Sequence, residues 1–137
     1  MPFSFLDHDA EIGLDLEAAD EAGLLEDAVC GFAALITDPA TIRPAERRTV
    51  SVRGSSAAER LVLWLREWVF AADVDGFLPG RATVTIAADG TVTGTVEGER
   101  RDAARHPGLR EVKAVTWHQV MAAEDAGRWT GRVIFDV

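Results

Sequence analysis

The sequence predicts an α+β fold, a two-layer sandwich in which two helices pack on one face of a mainly antiparallel (mixed) β-sheet. Three observations indicate this class. Apolar residues recur at three- and four-residue spacing in two segments of the N-terminal half. From residue 81 the apolar period changes to two and stays there, and Asp89-Gly90 is a typical hairpin turn. The predicted order of elements is β-α-β-α-β-β-β-β, within a single domain over residues 1–137.

The chain begins with a strand and a helix. Residues 3–6 and 11–17 are predicted to be extended, and the second piece alternates apolar and polar residues. Asp20 is a favourable N-cap for the following helix, and Asp38-Pro39 ends it because Pro disfavours a helical residue before it. Cys30 falls on the apolar side and is expected to be a buried, inert thiol. The predicted buried stripe comprises Leu25, Ala28, Val29, Phe32, Leu35 and Ile36.

A short strand and a second helix follow. Val50 and Val52 alternate with polar residues, and Ser56 with Glu59 forms a capping-box pattern that starts the helix. Asp73 to Gly76 is predicted to end it in a turn. The buried stripe, which includes two tryptophans expected in the core, comprises Leu61, Trp64, Leu65, Trp68, Val69 and Ala72.

The rest of the chain is predicted to form two hairpins. The first turns at Asp89-Gly90, and residues 98–110 are a polar, basic loop. A long strand is expected from residue 111 to about residue 123, followed by a last strand over residues 128–137. One face of the last strand is predicted to hold Trp129, Gly131, Val133, Phe135 and Val137.

The charge is distributed unevenly. The net charge is −9, and residues 1–42 contain ten acids and no Lys or Arg. Phosphates should repel such a domain, so direct nucleic-acid binding is not expected, whereas a basic protein partner would be attracted. No apolar run is long enough for a bilayer, no signal peptide is evident, and the single cysteine excludes an internal disulfide. These features predict a cytoplasmic protein with no membrane partner.

The densest group of chemically active residues is the acidic segment Asp7 to Glu11. Alternation places Asp7, Asp9 and Glu11 on one side of an extended chain and His8 on the other. Such a segment is either a solvated strand end or a site for a hard cation or docking partner. Asp136 and the terminal Val137 offer further oxygens, and they would meet Glu11 if the last strand paired with the first.

Motifs for catalysis are absent from the sequence. It has no Gly-x-Ser-x-Gly elbow, no Walker-type loop and no His-Glu-x-x-His helix. One cysteine and three scattered histidines disfavour zinc. His118 shares an alternating face with Val112 and Val120, which predicts a hydrogen-bonded, half-buried histidine.

Several motifs in one order resemble the archease family. Leu6 to Gly13 resembles its N-terminal signature, an acid-His-Thr-Ala-Asp-Ile-Gly run, with Glu11 where Asp is usual and Asp9 where Thr is usual. Trp117 stands at a position where the family commonly has Tyr. The remaining matching segments are Leu35 to Pro39, Trp64 to Glu67, His106-Pro107, Glu111 to His118 and Arg132 to Val137.

The resemblance implies a non-enzymatic partner of an RtcB-type RNA ligase that acts in tRNA splicing and RNA repair. Such a partner promotes guanylylation of the ligase and allows multiple turnover. The resemblance also implies a divalent-metal site, with calcium expected and magnesium or manganese as alternatives. Its ligands would be Glu11, Asp136 and Val137. Supporting or docking roles would belong to Asp7, His8, Asp9, Lys113 and His118.

Two other functions are compatible with the residues. The same carboxylates could activate water in a metal-dependent hydrolase, although no dedicated base or nucleophile accompanies them. A general chaperone-like binding module would not depend on Glu11 or Asp136.

Overall fold

The computed structural model describes residues 11–137, and it confirms the α+β class and the predicted order of elements. The strand expected at residues 3–6 lies outside the described residues. The strands are β1 (Glu11–Ala18), β2 (Glu46–Arg53), β3 (Phe77–Ile86), β4 (Thr91–Arg100), β5 (Ala114–Asp125) and β6 (Arg128–Asp136). The helices are α1 (Glu21–Ile36) and α2 (Ala57–Asp75), and a 3-10 turn covers Pro39–Thr41.

The strands form two three-stranded antiparallel sheets rather than one mixed sheet. Their strand orders are β1-β6-β5 and β2-β4-β3. Each sheet consists of a hairpin and one strand from the N-terminal half. The hairpin β5-β6 is joined by β1, and the hairpin β3-β4 is joined by β2. In both sheets the joining strand pairs with the hairpin's second strand.

Both helices begin where the sequence predicts. The Asp20 carboxylate accepts a hydrogen bond from Gly23 N–H at 2.7 Å, and Ser56 Oγ accepts one from Glu59 N–H at 3.1 Å. α2 ends at Gly76, whose φ of 66° is a left-handed conformation that suits glycine. The first residues of both helices are therefore held by local side-chain bonds.

The two predicted core tryptophans are fully buried. Trp64 and Trp68 have no exposed surface and meet edge to face, with ring centroids 5.3 Å apart. Trp64 Nε1 donates to the Leu25 carbonyl at 2.9 Å, which links α2 to α1. Phe32 of α1 stacks on Phe135 of β6 at 5.8 Å, so the core also ties the last strand to the first helix.

Two local predictions were wrong. Cys30 is exposed, because it lies one position beyond Val29 and therefore about 100° around the helix from the buried stripe. Partial desolvation, with Asp27 and Glu26 nearby, raises the pKa of its thiol. β5 begins at Ala114 rather than at residue 111, because the chain before it is still part of the loop that crosses the end of α1. No helix within residues 11–137 is long and apolar enough to cross a membrane.

Candidate functional site

Glu11 and Asp136 lie directly opposite each other where β1 pairs with β6. On β1 the buried positions are Leu16 and Ala18, and alternation therefore points Glu11 away from the core. Side chains at directly opposed positions have Cβ atoms about 5 Å apart. The predicted pairing of the last strand with the first is thus confirmed, and it places both residues on the outer face of the β1-β6-β5 sheet.

The other acids of β1 on this face have arginine partners. Arg132 Nε donates to Asp15 Oδ1 at 2.7 Å, and Arg128 pairs with Glu17. The hydrogen bond from Arg132 lowers the pKa of Asp15. Among the described residues, the Asp136 carboxylate makes no ion pair. The end of the sheet at Asp136 therefore carries an acidic pair without an arginine, and this pair is the candidate site.

His118 is the one basic group of the described residues that reaches this pair. Its Nδ1 lies 3.4 Å from Glu11 Oε2, and its side chain is 74% exposed. The expectation of a half-buried histidine was therefore wrong, although the hydrogen bond is present.

A β-bulge is responsible for the placement of His118. Thr116 pairs with Ile134 and Met121 pairs with Arg132, so β5 uses more residues than β6 between these points. Gln119, inside the bulge, has a φ of 53°. The bulge breaks the alternation on which the sequence prediction relied, and no turn-forming Gly, Pro or Asn signals it.

Lys113 contributes through its backbone. Its N–H donates to the Asp136 carbonyl at 2.8 Å, while its side chain is exposed. Val137 is partly buried and packs against the core. These contacts hold the end of β6 in place and leave the Asp136 side chain on the outer face. Asp7, His8 and Asp9 lie outside the described residues.

The donor chemistry of the pair suits a hard cation. Carboxylate oxygens are the ligands preferred by Ca²⁺, Mg²⁺ and Mn²⁺, and the described site lacks the thiolates and paired histidines typical of zinc. Residues 11–137 contain no group of three or more His, Cys, Asp or Glu arranged to hold a metal. A complete site would therefore need further oxygens, such as the carbonyl or terminal carboxylate of Val137 or donors from residues 1–10.

Comparisons with known proteins agree over almost the whole chain. A sequence profile described as "Archease protein family (MTH1598/TM1083)" matches residues 3–137. The chain is 31% identical over 140 residues to "Protein archease" of Methanopyrus kandleri, with 100% of both chains covered. It is also 31% identical to "Protein archease" of Methanothermobacter thermautotrophicus over 138 residues, with 98% of each covered.

Two solved structures are similar in fold. The solution structure of Methanobacterium thermoautotrophicum protein 1598 superposes with a TM-score of 0.76 and 28% identity, covering 97% of this chain and 96% of that one. A Thermotoga maritima crystal structure described as "an archease, possible chaperone" has a TM-score of 0.68. At 16% identity, with 100% and 98% of the two chains covered, it supports the fold alone.

Proposed function

The chain belongs to the archease family, and on this premise we propose that it is a non-enzymatic cofactor of an RtcB-type RNA ligase. In this role it promotes guanylylation of the ligase and allows multiple turnover in tRNA splicing or RNA repair. The observation that carries the proposal is the pair of opposed carboxylates, of which Glu11 is exposed and Asp136 is partly exposed.

The pair is the proposed metal site. Glu11 and Asp136 would hold a divalent cation, calcium in our proposal, with Val137 adding its carbonyl or terminal carboxylate. A bound cation would neutralise the pair and so remove the repulsion between its members. Glu11 is exposed and Asp136 is partly exposed, which leaves both carboxylates within reach of a partner.

The surroundings of the pair support docking of a protein. Trp117 and Met121, which flank the bulge beside His118, are 51% and 43% exposed. Exposed aromatic and thioether side chains are common at interfaces. A net charge of −9 favours encounter with a basic, RNA-handling enzyme.

The test is a ligation assay with the organism's own ligase at substrate excess. Asp136→Ala is expected to abolish the stimulation of turnover without changing the circular dichroism spectrum. The matched control is Asp125→Ala, which removes an exposed carboxylate from the opposite end of the same sheet. Full stimulation by the Asp136 variant would overturn the proposal.

The same preparation distinguishes the two other functions. Turnover of phosphoesters by the protein with Ca²⁺, Mg²⁺ or Mn²⁺ and no ligase would identify a hydrolase. Suppression of the aggregation of unrelated proteins, equal in wild type and in the Asp136 variant, would identify a general chaperone-like module.

A further inference from the structure

A buried histidine lies in the loop over residues 101–113, which connects β4 to β5. His106 is 2% exposed, in contrast to the exposed His118. His106 is not one of the residues proposed to hold the metal, so its burial needs a separate explanation. A buried imidazole costs free energy unless both ring nitrogens have partners.

Both ring nitrogens of His106 have partners. Nδ1 accepts a hydrogen bond from Asp102 N–H at 2.8 Å, and Nε2 lies 2.9 Å from Glu99 Oε2. Because Nδ1 is an acceptor here, it carries no proton, and the ring proton must be on Nε2 and point at Glu99. The neutral imidazole therefore joins the end of β4 to the backbone of the loop.

Glu99 is held as an acceptor by several groups. The Arg105 guanidinium contacts its Oε1, and Arg43 N–H donates to its Oε2 at 2.8 Å. The Arg105 hydrogen bond, with help from Arg43 and His106, lowers the pKa of Glu99 to about 2. Glu99 therefore remains ionised and available to the His106 N–H over the whole neutral range.

Beyond His106 the loop leads to the candidate site. Thr37 Oγ1 donates to the Pro107 carbonyl at 2.7 Å, and Arg110 N–H donates to the Ile36 carbonyl at 2.9 Å. Both bonds fasten the loop to the C-terminal end of α1. Lys113 N–H then donates to the Asp136 carbonyl at 2.8 Å. The loop thus runs from the buried imidazole to one member of the carboxylate pair.

We propose that Glu99 and His106 are positioning residues that hold the 101–113 loop so that Lys113 fixes Asp136 opposite Glu11. The inference deepens the proposed function, because it assigns residues that support the proposed metal site. Removing either partner would leave a buried polar group unpaired. The loop would then become more mobile as far as Lys113.

The first test measures amide hydrogen exchange in three variants. Glu99→Gln and His106→Gln are expected to speed exchange of the Lys113 amide by about tenfold. Amides in the β2-β4-β3 sheet report the loss of global stability, and the exchange of Lys113 should speed up by more than theirs. Glu97→Gln is the matched control, because this residue lies two positions away on the same strand but its side chain is 39% exposed and pairs with Arg47 rather than with the loop. Unchanged Lys113 exchange in both Glu99 and His106 variants would overturn the proposal.

Calcium titration tests whether the effect reaches the site. The two variants are expected to bind Ca²⁺ about tenfold more weakly than wild type. If wild type binds no Ca²⁺, the proposed metal site fails, while the exchange of Lys113 still decides the role of the loop. If wild type and variants bind equally, positioning of the site by His106 is wrong.

A measurement on the wild type covers the case in which a variant does not fold. Nitrogen chemical shifts of the labelled imidazole report which ring nitrogen carries the proton. We expect the Nε2–H tautomer for His106 at neutral pH. The Nδ1–H tautomer would contradict the Asp102 hydrogen bond and thereby the proposal.

Discussion

Glu11 and Asp136 face each other across β1 and β6, although they come from opposite ends of the described chain. Like charges at directly opposed strand positions destabilise a sheet. Four residues further along the same strands, Asp15 is opposed by Arg132 instead. The sheet is therefore matched in charge at Asp15 and mismatched at Glu11, which is expected where a cation or a partner supplies the missing positive charge.

Neutralising one member of the pair should stabilise the protein in the absence of metal. Glu11→Gln is expected to raise the free energy of unfolding in EDTA by about 0.2–1 kcal/mol, because the repulsion is removed. Excess CaCl₂ should stabilise wild type but not this variant. Urea denaturation with and without CaCl₂ measures both effects. The control is Glu17→Gln, which loses its partner Arg128 and should gain no stability in EDTA. A variant at Glu11 that is less stable than wild type in EDTA would contradict the prediction.

Glu99 should make the free energy of unfolding depend on pH in the acidic range. Its pKa is about 2 in the folded protein, below the ordinary value of 4.5, chiefly because of the Arg105 hydrogen bond. A lowered pKa contributes stability that is complete above pH 4.5 and is lost as the pH falls from 4.5 towards 2. We expect a contribution on the order of 2 kcal/mol after screening by solvent.

Denaturation across this pH range checks the contribution of Glu99. Glu99→Gln should be less stable than wild type at neutral pH and should lose less stability between pH 4.5 and 2. Glu97→Gln should follow the wild-type curve, because its partner Arg47 is 3.9 Å away and exposed. If the stability of wild type and of the Glu99 variant falls in parallel as the pH is lowered, the Glu99 carboxyl is not responsible for the loss of stability in acid.

Gly94 should tolerate no side chain. A Cβ at this position would lie 2.2 Å from Cη2 of the buried Trp64, whose indole is fixed by the Leu25 carbonyl. Gly94→Ala is therefore expected to lower the free energy of unfolding by about 3 kcal/mol. Gly13→Ala is the control, because its Cβ would lie 3.4 Å from Ile134 Cδ1, and it should change stability by less than about 0.5 kcal/mol. Similar losses in both variants would indicate that strand glycines, rather than the Trp64 contact, are responsible.

Arg60 should not be replaceable by lysine. Its guanidinium donates to both carboxylate oxygens of Glu21, at 2.7 and 3.0 Å, and to the Gly54 carbonyl at 3.0 Å. The pair is largely buried and joins the first turns of the two helices. Arg60→Lys is expected to cost about 1–2 kcal/mol, because an ammonium cannot match this fork.

The exposed pair of Arg132 and Asp15 is the control for Arg60. Arg132→Lys should cost less than about 0.5 kcal/mol, because solvent screens this pair. Thermal denaturation of both variants gives the comparison. Equal losses of stability in the two variants would mean that burial does not strengthen the Arg60–Glu21 pair.

Much of the fold was predictable because it depends on neighbours in sequence. The caps at Asp20 and Ser56 are bonds to residues three positions away. The buried tryptophans follow from helical spacing. The buried face of β6 follows from alternation, and the observed burial of Val133 and Phe135 agrees with it.

The candidate site was only partly predictable. The sequence by itself determined that Glu11 and Asp136 would stand at strand ends, with acid side chains suited to a hard cation. Their meeting required β1 to pair with β6, and the closing of long loops costs similar entropy for many alternative pairings. Local sequence therefore could not select this one.

Tertiary structure decided three further features. It divided the strands between two sheets, placed a bulge before Met121 that turns His118 towards Glu11, and buried His106 against Glu99. Each arises from contacts between residues distant in sequence, where free strand edges and the pairing of buried polar groups determine which partners meet. Periodicity and capping carry no information about such partners, so the chain specifies its elements locally and its site through packing.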